Sequence, residues 1–328
     1  MRNTYTDFKI KGWLANSHIQ SMLASSKLRK RIHAKHHKKL IRQQQDVLLD
    51  AGDSVRLHCV FSENTLANKN NKLVILIHGW EGSSESTYLL SAASYLYNSG
   101  FSIIRLHLRD HGPSSHLNTE LFHAARLDEV LNALKDIQSR FNYEKQYLVG
   151  FSLGGNFALR VGNEASKYKL NLQHIVAISP VISPSSTMKA LEKGTFLYRQ
   201  YFIKKWKRAL KTKSNYFPDI YDFSTFLASN SLSEMTQKLI TAYTPYASVE
   251  DYFNSYTLLP SDLEKTQIPT DIILATDDPV IPITDSYDFS STDLLQLRIY
   301  KHGGHCGFIH NWRLESWIDR ELFQLFSA

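Results

Sequence analysis

YLVGFSLGGNFALRVG, residues 147–162, joins a continuous apolar run to a segment of helical spacing through the turn G-F-S-L-G. The first part is typical of a strand buried on both faces, and the second of a helix packed on a sheet. A G-x-S-x-G turn between a strand and a helix holds its serine in strained dihedral angles, and the flanking glycines leave room for the tight turn. We therefore predict a strand–turn–helix unit with Ser152 at its tip and with Gly150 and Gly154 on either side.

Alternating strand-like and helix-like segments extend from this unit in both directions. The first two predicted strands form a hairpin with Gly52 and Asp53 in its turn, and Gly100 ends the first predicted helix. Such alternation predicts an α/β fold, with a mostly parallel sheet and helices on both faces. The predicted strands are 47–49, 55–61, 73–77, 102–108, 146–151, 174–179, 271–275 and 295–300, and the predicted helices are 86–98, 118–141, 153–165 and 311–326.

The alternation stops between residues 185 and 268, where the sequence is helical in pattern, rich in aromatic residues and free of strand-like aliphatic runs. We interpret 185–268 as a helical cap inserted into a core formed by 46–184 and 269–328. Residues 1–45 form an N-terminal arm that contains a basic segment. A chain of 328 residues is long enough to bury a core of this size.

The net charge of +7 is concentrated in two segments. Residues 27–42 contain eight Lys and Arg and residues 199–213 contain seven, and neither segment contains an acid. The rest of the chain has a net charge of −8. This distribution argues against a uniformly basic surface that binds nucleic acid. For 27–42 we favour a solvated arm, since no nucleic-acid-binding motif accompanies it.

Composition and the chain start restrict the class of protein further. A hydrophobic content of 43% with 21% charged residues excludes a mainly disordered chain. The two cysteines, Cys59 and Cys306, suit a reducing compartment. The polar N-terminus lacks the apolar core of a signal peptide, and no apolar run approaches the roughly 20 residues of a spanning helix. We expect a cytoplasmic protein, with peripheral contact with an anionic membrane as an open alternative.

A serine nucleophile needs a general base, and the base needs an acid to orient it. In folds with this kind of serine turn the chain order is serine, acid, histidine. The segments ATDDP (275–279) and GGHCG (303–307) follow two predicted strands in that order, at the carboxyl ends where sites collect. We select His305 as the base because small residues flank it.

Two other histidines and a second aspartate compete for these roles. His302 and His310 lack the glycine-rich setting of His305. For the acid we favour Asp278, which precedes a proline, and we expect Asp277 to be a turn or supporting residue.

The transition state of acyl transfer also needs donors for its oxyanion. One is expected to be the backbone N–H of Leu153, just after the serine. The other is expected from the loop HGWEG (78–82), where His78 and Gly79 would support the N–H of Trp80.

With these segments the chain resembles the α/β-hydrolases, and among them the YheT-like branch of esterases. NSHIQS (16–21), HGWEGSSES (78–86), GFSLGGN (150–156), ATDDP (275–279) and GGHCGF (303–308) are each similar to a segment of that branch. The resemblance implies an α/β-hydrolase fold, a Ser152–Asp278–His305 triad and hydrolysis of carboxylic or lipid esters, with acyl transfer to alcohols in some relatives. Two departures are Trp80, where the branch usually has leucine, and RDHGPSSH (109–116), which replaces its R-G-x-x-x-S loop.

The leading hypothesis is a serine hydrolase that cleaves carboxylic esters with a medium or long acyl group through an acyl-enzyme intermediate. The alternatives are an acyltransferase that uses alcohols, and a lipid- or membrane-binding module with weak catalysis. The expected partner is a small-molecule or lipid ester, without nucleic acid, and no metal or organic cofactor is implied.

Weaker patterns have simpler interpretations. His123 and Asp128 are five apart on a predicted helix and would not share a face. The group of His33, His36 and His37 is interpreted as a solvated stretch rather than a metal site, since no carboxylate or thiolate accompanies it. Cys306 is interpreted as a small residue that fills a tight loop.

In the cap, apolar residues recur at helical spacing while Lys and Arg occupy the other face of the same helix. We favour a helix packed on the core with a solvated basic side. An interfacial helix that rests on anionic lipid and gates an acyl pocket is the second interpretation. The apolar positions are Tyr198, Phe202, Trp206, Ala209 and Leu210.

Overall fold

An eight-stranded sheet organises the computed structural model, which describes residues 8–65 and 71–327. The strand order is β1-β2-β4-β3-β5-β6-β7-β8. The pairs β1–β2 and β2–β4 are antiparallel, and all later pairs are parallel. The strands are β1 (Gln44–Asp50), β2 (Arg56–Ser62), β3 (Lys72–Ile77), β4 (Ser102–Leu106), β5 (Lys145–Phe151), β6 (Leu172–Ile178), β7 (Thr270–Ala275) and β8 (Leu295–Tyr300).

Helices cover both faces of this sheet, because its central strands are apolar on both sides. One face packs against α5, α6 and the helices between β6 and β7, and the other against α4 and α13. The helices are α1 (Ser17–Ala24), α2 (Lys27–Ile32), α3 (Ala34–Arg42), α4 (Thr87–Asn98), α5 (Leu127–Arg140), α6 (Leu153–Tyr168), α7 (Pro184–Lys193), α8 (Phe196–Tyr216), α9 (Ser224–Ala228), α10 (Leu232–Tyr243), α11 (Val249–Asn254), α12 (Pro260–Leu263) and α13 (Trp317–Ser327).

The predicted α/β class is confirmed, but two predicted helices are too long at their starts. The helix predicted at 118–141 begins only at Leu127. Its first carbonyl groups bind side chains from elsewhere, since Lys213 Nζ donates to Asn118 O and Glu120 O at 2.6 and 3.2 Å. These tertiary hydrogen bonds replace those that a helix would make. His123 therefore lies in a loop and not on the predicted helix.

The last predicted helix, 311–326, begins at Trp317 instead. Ile309 pairs with Ser316 in an antiparallel bridge, and Leu314 has a φ of 61°. A left-handed residue interrupts a right-handed helix, so residues 311–316 form a turn.

Six helices, α7–α12, lie between β6 and β7, in the segment for which we predict a cap. The longest, α8, buries Ile203, Trp206 and Leu210. The expectation of a fully solvated basic side is wrong for Lys213, which is 1% exposed and forms a 2.8 Å ion pair with Asp110. This lysine attaches α8 to the loop after β4.

The N-terminal basic segment is not the solvated arm that we favour from sequence. Arg29 of α2 is 1% exposed, and its Nε donates to Leu314 O at 2.8 Å. Its second amino group donates to Ser91 Oγ, which in turn donates to the Asp319 carboxylate at 2.6 Å. A buried guanidinium therefore joins α2 to α4 and α13. The first seven residues, within the N-terminus where we predict no signal peptide, lie outside the described residues.

The histidines of this segment have structural partners. His37 Nδ1 lies 2.8 Å from Ser94 Oγ, and His33 Nε2 lies 3.2 Å from Leu314 O. Within 8–65 and 71–327, no three His, Cys, Asp or Glu residues are grouped so that they could hold a metal ion. In the same ranges no helix is long and apolar enough to cross a membrane.

Replacing Arg29 with alanine should leave buried acceptors without a donor and loosen α2 from α4 and the 311–316 turn. We expect the free energy of unfolding, measured by urea denaturation, to fall by about 2–3 kcal/mol. Arg31→Ala, on the exposed side of the same helix, is the matched control and should change it by less than about 0.5 kcal/mol. Equal losses in the two variants would contradict an anchoring role for Arg29.

Candidate active site

Ser152 lies in a strained turn between β5 and α6. Its φ of 54° and ψ of −117° are unfavourable for a residue with a side chain, and its N–H donates to Ile178 O at 2.9 Å. A Cβ on Gly150 would lie 2.1 Å from Gly154 O, and one on Gly154 would lie 2.4 Å from Ile77 O. Both glycines are therefore required by the close approach of strand and helix, and Ser152 Oγ stands clear of the sheet.

A chain of hydrogen bonds runs from Ser152 through His305 to Asp278. His305 Nε2 lies 2.9 Å from Ser152 Oγ, and His305 Nδ1 lies 2.9 Å from Asp278 Oδ2. Because an ionised carboxylate only accepts, Nδ1–H donates to Asp278 and Nε2 is left to accept the serine proton. This arrangement can deprotonate Ser152 as its oxygen attacks an electrophile.

Asp278 is buried and held in place by backbone hydrogen bonds. Its side chain is 2% exposed, and Oδ1 accepts from Val280 N and Ile281 N at 2.8 and 3.0 Å. Its neighbour Asp277 has a different position, since Oδ1 accepts from Gly304 N at 2.9 Å. Asp277 thus ties the turn after β7 to the loop that carries His305.

Two opposing effects determine the charge of His305. Burial disfavours the imidazolium and lowers the pKa of His305, whereas the adjacent Asp278 carboxylate raises it. The resulting pKa lies well above the ordinary value for histidine. The same carboxylate therefore stabilises the imidazolium that forms when His305 takes a proton.

The loop that carries His305 rests on α1, a contact that residue chemistry alone does not predict. Ser21 Oγ accepts from His305 N at 2.8 Å, and Gln20 exchanges hydrogen bonds with Ile309 at 2.7 and 2.9 Å. A Cβ on Gly304 would lie 2.4 Å from Ser17 O, so this packing requires a glycine. In the sequence, the similarity of NSHIQS (16–21) to the YheT-like branch was the one signal for this segment. It did not by itself indicate a contact with the loop of His305.

The competing histidines lie outside the hydrogen-bond chain. His302 Nδ1 is 3.3 Å from Asp277 Oδ2, and His310 is near Asn311 and Glu315. His123 lies in the loop before α5, where burial lowers its pKa to about 3. None of the three belongs to the described chain of contacts from Ser152.

The loop after β3 lies directly against Ser152. Gly79 approaches the serine so closely that a Cβ on it would lie 3.1 Å from Ser152 Cβ. Among the residues that the structure describes, the N–H groups of Trp80 and Leu153 have no hydrogen-bond acceptor. Gly79 N donates to Tyr88 Oη at 2.9 Å, which fixes the start of the loop. Two free donors beside a serine can hold a developing oxyanion.

Two neutral histidines that sequence pattern does not assign to the site accept hydrogen bonds from this loop. His111 Nε2 accepts from Glu81 N at 3.1 Å, and His107 Nε2 accepts from Ser84 N at 2.8 Å. Burial lowers the pKa of His111 to about 4 and that of His107 to about 3, so both rings stay neutral and keep one acceptor nitrogen. The sequence signal for His111 was the segment RDHGPSSH (109–116), which replaces the R-G-x-x-x-S loop of the YheT-like branch.

The position of the His107 proton follows from its neighbours. Since Nε2 accepts from Ser84, Nδ1 carries the proton and donates to His58 Nδ1 at 2.8 Å. His58 Nε2–H then donates to Asp46 at 2.9 Å. This chain of hydrogen bonds connects β1 to the loop beside Ser152.

The candidate site opens into a cavity of about 1100 Å³, large enough for a drug-sized or larger ligand. Trp80 stacks on Phe202 of α8 with a centroid distance of 5.4 Å and an interplanar angle of 8°, and Lys205 Nζ donates to Glu81 O at 3.0 Å. Trp80, which stands where the YheT-like branch usually has leucine, thus joins the loop 78–82 to α8. Apolar lining residues include Met188, Leu191, Trp206, Leu239, Ile240 and Phe253.

Comparison with known proteins identifies the family of this chain. The family model for the alpha/beta hydrolase fold matches residues 72–311. The protein named "Putative esterase YheT" of Escherichia coli (strain K12) is 24% identical over 319 residues, covering 94% of this chain and 89% of that protein. An "Abhydrolase domain-containing protein" of Dictyostelium discoideum is 20% identical and covers 96% of this chain and 80% of its own length.

Solved structures support the same fold. The Pyrococcus furiosus esterase Pf2001 superposes with a TM-score of 0.59 at 15% identity and covers 88% of this chain and 92% of that one. Est1E from Butyrivibrio proteoclasticus superposes with a TM-score of 0.54 at 15% identity, covering 86% and 97%. With the family match spanning most of its length, the chain belongs to the α/β-hydrolase fold family and resembles YheT within it.

Proposed function

We propose that the chain is a serine hydrolase that cleaves carboxylic esters through an acyl-enzyme intermediate. The observation that carries the proposal is the hydrogen-bond chain Ser152–His305–Asp278 at the wall of a large, mostly apolar cavity. Family membership supports hydrolysis, and the named relative supports ester substrates.

In the first half-reaction, Ser152 Oγ attacks the ester carbonyl carbon while His305 Nε2 takes the serine proton. Asp278 keeps the histidine in the required tautomer and stabilises the imidazolium. The carbonyl oxygen becomes an oxyanion that accepts from the N–H groups of Trp80 and Leu153. Collapse breaks the bond to the alcohol oxygen, which leaves with the proton from His305, and the acyl group remains on Ser152.

In the second half-reaction a water molecule takes the place of the alcohol. His305 removes one proton from the water as its oxygen attacks the acyl carbon. The same two N–H groups hold the second oxyanion. Its collapse releases the carboxylic acid and returns the proton from His305 to Ser152 Oγ.

The cavity supports esters with a sizeable acyl group. Its lining is dominated by aliphatic and aromatic side chains from α7, α8, α10 and α11, which lie beside Ser152. Burial of each methylene in such a lining stabilises a complex by roughly 0.8 kcal/mol. A longer acyl chain should therefore lower KM until the cavity is filled.

Ser152→Ala should lower kcat/KM for p-nitrophenyl esters by roughly 10⁴-fold or more, because it removes the oxygen that attacks the ester carbonyl. The assay compares acetate, butyrate, octanoate and palmitate esters, and the wild type should favour the octanoate over the acetate. A fluorophosphonate should label the wild type at Ser152 and leave Ser152→Ala unlabelled. Ser139→Ala, an exposed serine on α5, is the control. Folded wild type that resists the fluorophosphonate would overturn the proposal.

His111→Leu should lower kcat by about tenfold with a smaller change in KM, because the Glu81 N–H loses its acceptor and the loop that presents Trp80 N–H shifts. His111→Gln places an amide oxygen near the position of Nε2 and should recover most of the loss. Steady-state kinetics of the three proteins measure this difference. Equal losses in both variants would indicate a packing role rather than a hydrogen bond.

The activity should fall as the pH drops through the pKa of His305, because a protonated Nε2 cannot accept the serine proton. Since Asp278 raises this pKa, the midpoint of the acidic limb of kcat/KM should lie above about pH 6.5. Burial also raises the pKa of Glu81, in the same cavity, to about 7. Glu81→Gln separates the two groups, since the limb should persist in that variant if His305 causes it.

A further inference from the structure

The N-terminal segment carries large apolar side chains that are exposed to solvent. Single exposed apolar residues are common on protein surfaces, whereas several large ones on one side of a molecule indicate an interaction surface. We call the surface formed by these five residues the N-terminal face. They are Trp13, Met22, Leu28, Ile32 and Trp312, and each is between 51% and 78% exposed.

Contacts of α2 bring three of these residues to one side of the molecule. Leu28 and Ile32 are four apart and share a face of α2. The adjacent face carries Arg29, which donates to Leu314 O at 2.8 Å. Trp312 lies two residues before Leu314, in the turn that α2 contacts.

Trp13 reaches the same side through a small apolar cluster. Leu14, the next residue, packs with Ile309 and Leu314. Gln20 strengthens this contact, because its side-chain amide donates to Leu14 O and Ile309 O at 2.8 and 2.9 Å. Trp13 and the turn containing residue 312 are thus anchored to one cluster.

The N-terminal segment, which carries four of these five residues, is strongly basic, whereas the turn that carries Trp312 contains both Arg313 and Glu315. Residues 8–45 contain ten Lys and Arg and no Asp or Glu. Of the ten, Arg29 is buried and Lys30 pairs with Glu85 at 2.6 Å. The other eight are exposed to solvent: Lys9, Lys11, Lys27, Arg31, Lys35, Lys38, Lys39 and Arg42.

The N-terminal face also borders the cavity that contains Ser152. Met22 is 54% exposed and lines the cavity, so the cavity opens to solvent at this residue. His18, Ser25 and Lys27 line it as well. An apolar ligand that approaches along the N-terminal face would reach Ser152 without crossing the sheet.

The basic segment of α8 fits such a surface less well. Tyr201 is the one large apolar residue of 199–213 that is exposed, at 42%, whereas Ile203, Trp206 and Leu210 pack inward and Lys213 binds Asp110 in the interior. A helix that uses its apolar side for the core cannot insert that side into lipid.

We propose that the N-terminal face docks on an anionic lipid surface. Its indole and aliphatic side chains enter the interfacial layer, where amphipathic aromatic rings are favoured, and the surrounding Lys and Arg contact lipid phosphates. Esters held in that surface then enter the cavity past Met22. This last step rests on the proposed function, whereas docking does not.

Binding is measured by vesicle co-sedimentation of Ser152→Ala protein, which keeps the lipid intact. Partitioning onto phosphatidylcholine–phosphatidylglycerol vesicles should exceed that onto phosphatidylcholine alone by about tenfold or more. Two substitution sets should each lower it by about tenfold. The first is Leu28→Ser with Ile32→Ser. The second is Lys11→Gln with Arg31→Gln and Arg313→Gln, the last at the exposed arginine that follows Trp312.

Matched controls separate this surface from other exposed residues. Ile220→Ser with Leu259→Ser removes two equally exposed apolar side chains, and Lys204→Gln with Lys207→Gln and Lys211→Gln removes the same charge from α8. Both sets should retain binding. Docking by the N-terminal face is overturned if the anionic vesicles do not bind, or if the α8 set loses binding while the N-terminal sets keep it. A loss with the charge set alone would indicate general binding to polyanions, which also contradicts the proposal.

Activity separates docking from catalysis. With Ser152 intact, the Leu28/Ile32 variant should hydrolyse a short soluble ester within about twofold of wild type but lose about tenfold toward a long-chain ester dispersed in anionic vesicles. Vesicle binding without hydrolysis of any ester would refute the proposed function and leave docking intact. Equal rates of the variant and wild type on vesicles would refute the docking route.

Discussion

The 2.9 Å hydrogen bond between His305 Nε2 and Ser152 Oγ is the constraint on which the rest of the structure depends. Its two residues follow β8 and β5, which are three positions apart in the sheet. A hydrogen bond of this kind weakens steeply if either atom moves by about half an ångström. The sheet register between β5 and β8, and the loops at their ends, must therefore be held nearly rigid. The close-packed glycines and the hydrogen-bonding side chains around the site serve that purpose.

Rigidity at the serine comes from backbone packing, and at the histidine it comes from side-chain hydrogen bonds. Gly150 and Gly154 bring β5 and α6 into direct contact, which fixes the turn despite the strained dihedrals of Ser152. The His305 loop instead donates backbone hydrogen bonds to Ser21 of α1 and to Asp277 in the turn after β7. The loop of Trp80 is held by a third set of bonds, which its backbone N–H groups donate to neutral imidazoles. Each segment of the site is thus stabilised by a different kind of contact.

How much of the site could be predicted from the sequence depends on whether its stabilising contacts are local or come from distant parts of the chain. The turn at Ser152 is local, and the acid and histidine follow strands whose carboxyl ends meet at one edge, so pattern and chain order were enough to select residues that the structure brings together. The helix predicted over 118–126 does not form, because Lys213, far along the chain, donates hydrogen bonds to the carbonyl groups of this segment. The buried guanidinium of Arg29 and the acceptor role of His111 were also missed. Both depend on tertiary partners, and composition alone assigns such residues to the surface or to a loop.

The short helix α1 contacts both the loop that carries His305 and the cavity that contains Ser152. On one side Ser21 and Gln20 bind the loop of His305, and on the other Met22 lines the cavity and faces solvent. Since Ser17 O leaves no room for a Cβ on Gly304, α1 cannot move toward this loop, and moving away by about 1 Å would break the bond from His305 N to Ser21 Oγ. The position of the histidine is therefore determined jointly by β8 and by a helix eight residues long. Met22 of the N-terminal face belongs to this helix, so a displacement of α1 would alter the hydrogen bond that helps to position His305.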